Sequence, residues 1–119
     1  MSLFSFYHSV YLEVYQNYVQ QVIREYANLG SAKDEIEQQL IFDPVGNHYQ
    51  LMYVGWKNRR RQHGCVLHLD IKNDKIWIQH DGTEIGIADE LVKLGVPKED
   101  IVLAFHEPLM RQYTGFAVG

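Results

Sequence analysis

The stretch Gly64-Cys65-Val66-Leu67-His68-Leu69-Asp70-Ile71-Lys72-Asn73-Asp74-Lys75-Ile76-Trp77-Ile78-Gln79 reads as two strands and the turn between them. Cys65, Leu67, Leu69 and Ile71 fall on one face and Val66, His68 and Asp70 on the other, the period of two that a β-strand imposes on its side chains. Lys72-Asn73-Asp74-Lys75 is hairpin chemistry, because Asn and Asp accept the left-handed backbone that a tight turn requires. Ile76 to Gln79 is the returning strand. One face of this hairpin is apolar and needs a cover.

Reading upstream, Ile36, Gln38, Leu40 and Phe42 alternate with Glu37, Gln39 and Ile41, which predicts a first strand. Asp43-Pro44-Val45-Gly46 is a turn with Pro at its first central position. His48 to Trp56 is a second strand, linked to the third, Gly64 to Ile71, by the polar segment 57–62. Consecutive strands with turn-length links imply an antiparallel four-stranded meander. Before it, Tyr7, Tyr11, Val14, Tyr15, Tyr18, Val22, Ile23, Tyr26 and Leu29 recur at spacings of three and four, predicting one long helix from about Phe6 to Leu29 that covers the apolar sheet face. Gly30-Ser31 is its expected stop.

Downstream, Ile85, Ile87, Ala88, Leu91, Val92 and Leu94 take helical spacing. They predict a second helix from about Thr83 to Leu94, with Asp81 and Glu84 arranged as a capping box and Gly95 as its end. Pro97 to Asp100 is a single turn, and Ile101 to Phe105 is an added strand or a helix-packing segment. The expected class is therefore α+β: a long N-terminal helix packed on the four-stranded meander, then a second helix and a short C-terminal strand or segment.

The chain of 119 residues fits one domain, 1–119, and its 46% hydrophobic and 22% charged content is that of a globular protein rather than a disordered one. With 11 Lys and Arg against 15 Asp and Glu, the net charge of −4 creates no global attraction to nucleic acid or an anionic membrane. Any such binding must come from a local patch. The lone Cys65 closes no intrachain disulfide, and the N-terminal stretch has neither the charged start of a signal peptide nor the apolar length of a membrane span. A cytoplasmic location with no membrane contact is expected.

Two clusters are candidates for chemistry. His80, Asp81 and Glu84, with His106 later, combine imidazoles and carboxylates, the groups of metal sites and of acid–base catalysis. Their spacing matches no metal motif, and Asp81 at a strand-to-helix passage also reads as a cap. Lys57, Arg59, Arg60 and Arg61, beside Trp56, place cations on a hairpin tip of an otherwise acidic chain, where they can meet phosphates or a partner's carboxylates while Trp56 stacks. His48, His63 and His68 can approach one another across the paired second and third strands, where they read as sheet-surface residues rather than as a metal site, and Cys65 reads as a buried, inert thiol. No metal, cofactor or catalytic residue is expected, and no glycine-rich phosphate loop is present.

The runs His48-Tyr49-Gln50-Leu51-Met52, Val54-Gly55-Trp56, Arg60 to Lys72, Lys75 to Glu84 and Gly95 to Leu103, with Arg111-Gln112-Tyr113, together resemble the XisI family of cyanobacterial proteins. The resemblance spans roughly Glu35 to Gly119. It implies an fdxN-element excision controlling factor that acts with a XisH-like, nuclease-related partner and, indirectly, with a XisF-type recombinase and DNA during heterocyst differentiation. Under this reading the chain is a non-catalytic interaction protein, self-associated as a dimer. The competing readings are a small metal-binding or hydrolytic enzyme built on the His80, Asp81, Glu84 and His106 region, and direct DNA binding through the Lys57 to Arg61 tip.

Overall fold

Two hairpins close on residues of left-handed backbone, Asn58-Arg59 with φ of 51° and 65°, and Asn73-Asp74 with φ of 52° and 64°. Turns that tight let the strands on either side run long. The computed structural model of the chain describes residues 3–30 and 35–119, with the side chains of the first helix described from Val10 onward. Tyr7 and Ser31, assigned from sequence to the helical stripe and its stop, lie outside the described side chains and residues.

Helix α1 (Leu3–Asn28) precedes strands β1 (Ile36–Asp43), β2 (His48–Lys57), β3 (Arg60–Lys72) and β4 (Lys75–Asp81). Helix α2 (Ile87–Leu94), a 3₁₀ turn (Lys98–Asp100), β5 (Ile101–Leu103) and a second 3₁₀ turn (Pro108–Tyr113) complete the chain. The strands form one sheet in the order β1-β2-β3-β4-β5. The first four pair antiparallel, as expected, but β5 runs parallel to β4, with Ile76 opposite Ile101 and Ile78 opposite Leu103. The sheet is thus mixed and five-stranded rather than a four-stranded meander. The reason is that α2 carries the chain back along the sheet, and only a crossover of that length allows a parallel neighbour.

The core lies between α1, α2 and one sheet face. Tyr15, Val19, Val22 and Ile23 of α1 are buried against Tyr49 and Leu51 of β2, Leu67, Leu69 and Ile71 of β3, and Ile76 and Ile78 of β4. Each fully buried aliphatic side chain contributes about 1.5–3 kcal/mol. Polar hooks fix the helix on the sheet: the Tyr15 hydroxyl donates to Asp100 Oδ2, and Gln16 Nε2 donates to the Asn47 Oδ1 at 2.7 Å and to the Pro44 carbonyl at 3.0 Å. The expected Asp43-Pro44-Val45-Gly46 turn is held by Asp43 Oδ1, which accepts from the amides of Val45 and Gly46 at 3.1 and 3.0 Å.

Two differences from the expected elements bear on function. The polar segment 57–62 is not a loop, since β2 and β3 continue to a two-residue turn at Asn58-Arg59 and form a projecting arm. Helix α2 begins at Ile87 rather than near Thr83, because Gly86 precedes it with a φ of 78° that no helical turn accepts. It ends as expected on Gly95, in left-handed conformation at φ 115°.

Pairing between β2 and β3 contains a bulge: Leu51 faces Leu67 and Met52 faces Cys65, leaving Val66 as the extra residue. An extra residue reverses the alternation beyond it. Val66 therefore packs against the core, while Cys65, expected in line with Leu67, Leu69 and Ile71, is only half-buried opposite Met52.

Candidate functional site

At the arm's tip, Trp56 lies opposite Arg61 in the β2–β3 register, and the Arg61 guanidinium carbon stands 5.5 Å from the centre of the Trp56 ring. This cation–π contact holds the indole flat against its neighbour while Trp56 stays 53% exposed. Lys57, Arg59 and Arg60 are exposed, and among the described residues none of them has a carboxylate partner. The five residues singled out from sequence are thus brought together on one protruding turn, with one arginine engaged and the other cations free.

The second sequence-derived cluster is not assembled into a ligand set. Asp81 is committed to the backbone: its Oδ1 accepts from the Thr83 amide at 2.9 Å, and its Oδ2 from the Ile87 amide, also at 2.9 Å. It caps α2 from a distance, and among the described residues no hydrogen bond joins it to Glu84, so the expected capping box does not form. His80 is exposed opposite His68 at the second bulge of the sheet, where Gln79 is the extra residue. His106 meets Phe105 in a tilted ring contact with centres 4.7 Å apart and lines a shallow cavity with Leu103, Met110, Tyr113 and Thr114. Arg111 ties that segment down, donating to the carbonyls of His106 and Ala104 at 3.0 and 3.2 Å, with its guanidinium carbon 5.6 Å from the centre of the Trp77 ring.

A different cluster forms on the sheet face opposite α1. The Val66 bulge sets His48 directly opposite Asp70, and His68 lies two residues before Asp70 on the same face. His48 Nδ1 is 2.8 Å and His68 Nε2 2.9 Å from the same carboxylate oxygen, Asp70 Oδ1. The other oxygen, Oδ2, accepts from Gln79 Nε2 at 3.2 Å. Among the described residues this is the only group of three or more His, Cys, Asp or Glu whose ligand-type atoms lie within 4.8 Å of one another. The hydrogen bond to Asp70, and secondarily its negative charge, raises the His48 pKa above the ordinary histidine value. His63 faces Val54 further along the arm and takes no part.

Sequence reading weighed His48, His63 and His68 together but passed over Asp70 and Gln79. The signal for Asp70 was its place two residues after His68 on the polar face of the strand. Its contact with His48 was not readable without the bulge: counted back from the Asn58-Arg59 turn, an unbroken register sets His48 opposite Leu69. Cys65 is not part of any site. Burial pushes its thiol above the usual cysteine range, and it donates to the Leu67 carbonyl at 3.2 Å, which is an inert arrangement.

Comparison with known proteins agrees with this architecture. The XisI protein family model matches residues 11–118. The solved structure of a XisI-like protein from Anabaena variabilis is 45% identical, superposes with a TM-score of 0.86, and the match covers 91% of this chain and 99% of that one. The structure of the fdxN element excision controlling factor XisI from Anabaena variabilis is 36% identical with a TM-score of 0.81, covering 92% and 99% of the two chains. No curated protein matches the sequence. Among the described residues no helix is long and apolar enough to cross a membrane.

Proposed function

Because this chain belongs to the XisI family over nearly its whole length, we propose that it is a controlling factor for excision of a DNA element, working as a non-catalytic partner of a XisH-like, nuclease-related protein and, through it, of a XisF-type recombinase. The observation that carries this reading is the arm tip. Trp56 with Lys57, Arg59 and Arg60 offers a flat exposed indole and free cations on a rigid hairpin, the residue types that anchor protein contacts and steer association. The rival hydrolytic or metal-binding reading has less support, since Asp81 accepts from the Ile87 and Thr83 amides and the four residues His80, Asp81, Glu84 and His106 are not among the described groups whose ligand atoms converge.

The test is co-expression with a XisH-like protein, with mass and DNA binding measured on the separate and mixed chains. A stoichiometric complex that touches DNA only through the partner is expected. Replacing Lys57, Arg59 and Arg60 together by Ala weakens the complex at least tenfold and flattens its salt dependence, because exposed charges act through screened, long-range attraction. Folding stability stays within about 0.5 kcal/mol of the parent, as for other exposed surface changes. If the isolated chain binds DNA and the triple variant loses that binding, direct contact through the tip replaces the adaptor reading.

A further inference from the structure

We propose that His48, His68 and Asp70 form a binding site for a divalent transition-metal ion of the zinc class on the open face of the sheet. The site is independent of the partner-binding role and lies on a different part of the sheet from the arm tip.

The ligand set is two imidazoles and one carboxylate, a combination that favours zinc-class ions over magnesium or calcium, which prefer all-oxygen shells. The three donors already converge. His48 Nδ1 and His68 Nε2 both aim at Asp70 Oδ1, at 2.8 and 2.9 Å, and all three lie within 4.8 Å of one another. Ligands about 2.0 Å from a tetrahedral metal stand about 3.3 Å apart, so the two histidine–carboxylate pairs open by about 0.5 Å while the two imidazole nitrogens, within 4.8 Å of each other, settle to the same spacing around the ion. To ligate, each of these nitrogens gives up its hydrogen bond to Asp70, the proton sitting on the other nitrogen of the neutral ring.

The support around the ligands is also that of a metal site. Gln79 Nε2 holds the second carboxylate oxygen at 3.2 Å, which fixes the plane of Asp70 and leaves Oδ1 for the ion. Adjacent paired strands carry all three ligands, so their spacing is set by ladder hydrogen bonds and not by a loop. The gradient of exposure gives access from one side: the Asp70 side chain is 15% exposed, His68 29% and His48 59%. Three protein ligands leave a further position for water or for a donor from a bound molecule.

The experiment is a Co²⁺ titration of the untagged, metal-stripped protein, followed by visible absorption, with Zn²⁺ competition and calorimetric stoichiometry. The expected result is a single site per chain giving the strong visible bands of low-coordinate cobalt, abolished by Zn²⁺. Asp70→Asn and the double variant His48→Gln, His68→Gln each lower affinity at least tenfold, and Gln79→Leu lowers it about tenfold through the loss of carboxylate support. Far-ultraviolet circular dichroism checks that each variant keeps its sheet. Because His48→Gln alone changes a mostly exposed side chain, it serves as the variant that folds in any case, and it too must weaken binding. A spectrum that stays that of hydrated cobalt, or binding that survives in the double histidine variant, overturns the assignment.

Discussion

Gly64 sits opposite Tyr53 in the β2–β3 arm, and the Tyr53 ring lies over it so closely that a Cβ on Gly64 would stand 2.5 Å from the phenolic oxygen. The side chain missing from one strand is replaced by an aromatic cover from the other, which stiffens the arm where α1 no longer supports it. Gly64→Ala makes the Tyr53 ring turn aside and forfeits its cross-strand packing, an expected cost of about 0.5–1 kcal/mol. In a Tyr53→Ala background that cost disappears, so a double-mutant cycle read by urea denaturation gives a coupling energy of the same size. Additive effects of the two substitutions would mean that the ring does not hold the arm. At this scale the sequence was legible for the core, since Leu67, Leu69, Ile71, Ile76 and Ile78 are buried as their alternation required. It was not legible at Cys65 and Val66, whose faces depend on one unpaired residue that no local preference marks.

Among the elements, α2 shows what the HDGTE segment does. Its first free amide, on Ile87, is satisfied by Asp81 from the end of β4, and the same carboxylate orders Thr83. Asp81→Ala therefore removes a helix cap and is expected to lower stability by about 1–2 kcal/mol. Binding to the proposed XisH-like partner is expected to stay intact, which chemical denaturation and co-purification of the same variant check together. A loss of binding without a loss of stability would restore the segment as a site. The strands and both helices were readable from period and turn chemistry, within a few residues at the ends. The direction of β5 was not, because three apolar residues carry no record of whether their neighbour runs with or against them. The His48–Asp70 contact was hidden for a related reason: strand pairing is a property of two segments and shifts whenever either gains a residue.

Over the whole molecule, the bond from Tyr15 to Asp100 joins the first helix to the turn that precedes the last strand. Burial, together with that hydrogen bond to the carboxylate, raises the Tyr15 pKa well above the usual phenol range, and burial raises that of Tyr49 as well. Both groups are favoured neutral in the folded chain, so their contribution is complete below the unfolded phenol pKa of about 10 and is lost as pH climbs from there toward the folded values. Urea midpoints measured between about pH 8 and about pH 11 should fall steeply above about 10 for the parent and less steeply for Tyr15→Phe, which is weaker at the start because it lacks the hydroxyl bond. Equal slopes for the two proteins would remove Tyr15 from the account. The sheet itself is lopsided at this scale. On the β5 side the chain's own Ala117 donates its amide to the Ile101 carbonyl and bridges to Val102, whereas on the opposite side alternate residues of β1 turn their backbone N–H and C=O groups outward, and among the described residues no strand lies beyond them. A second copy laid antiparallel along β1 would extend the sheet across a two-fold axis, and the outer edges of such a pair would be its two β5 rims, each already met by its own Ala117.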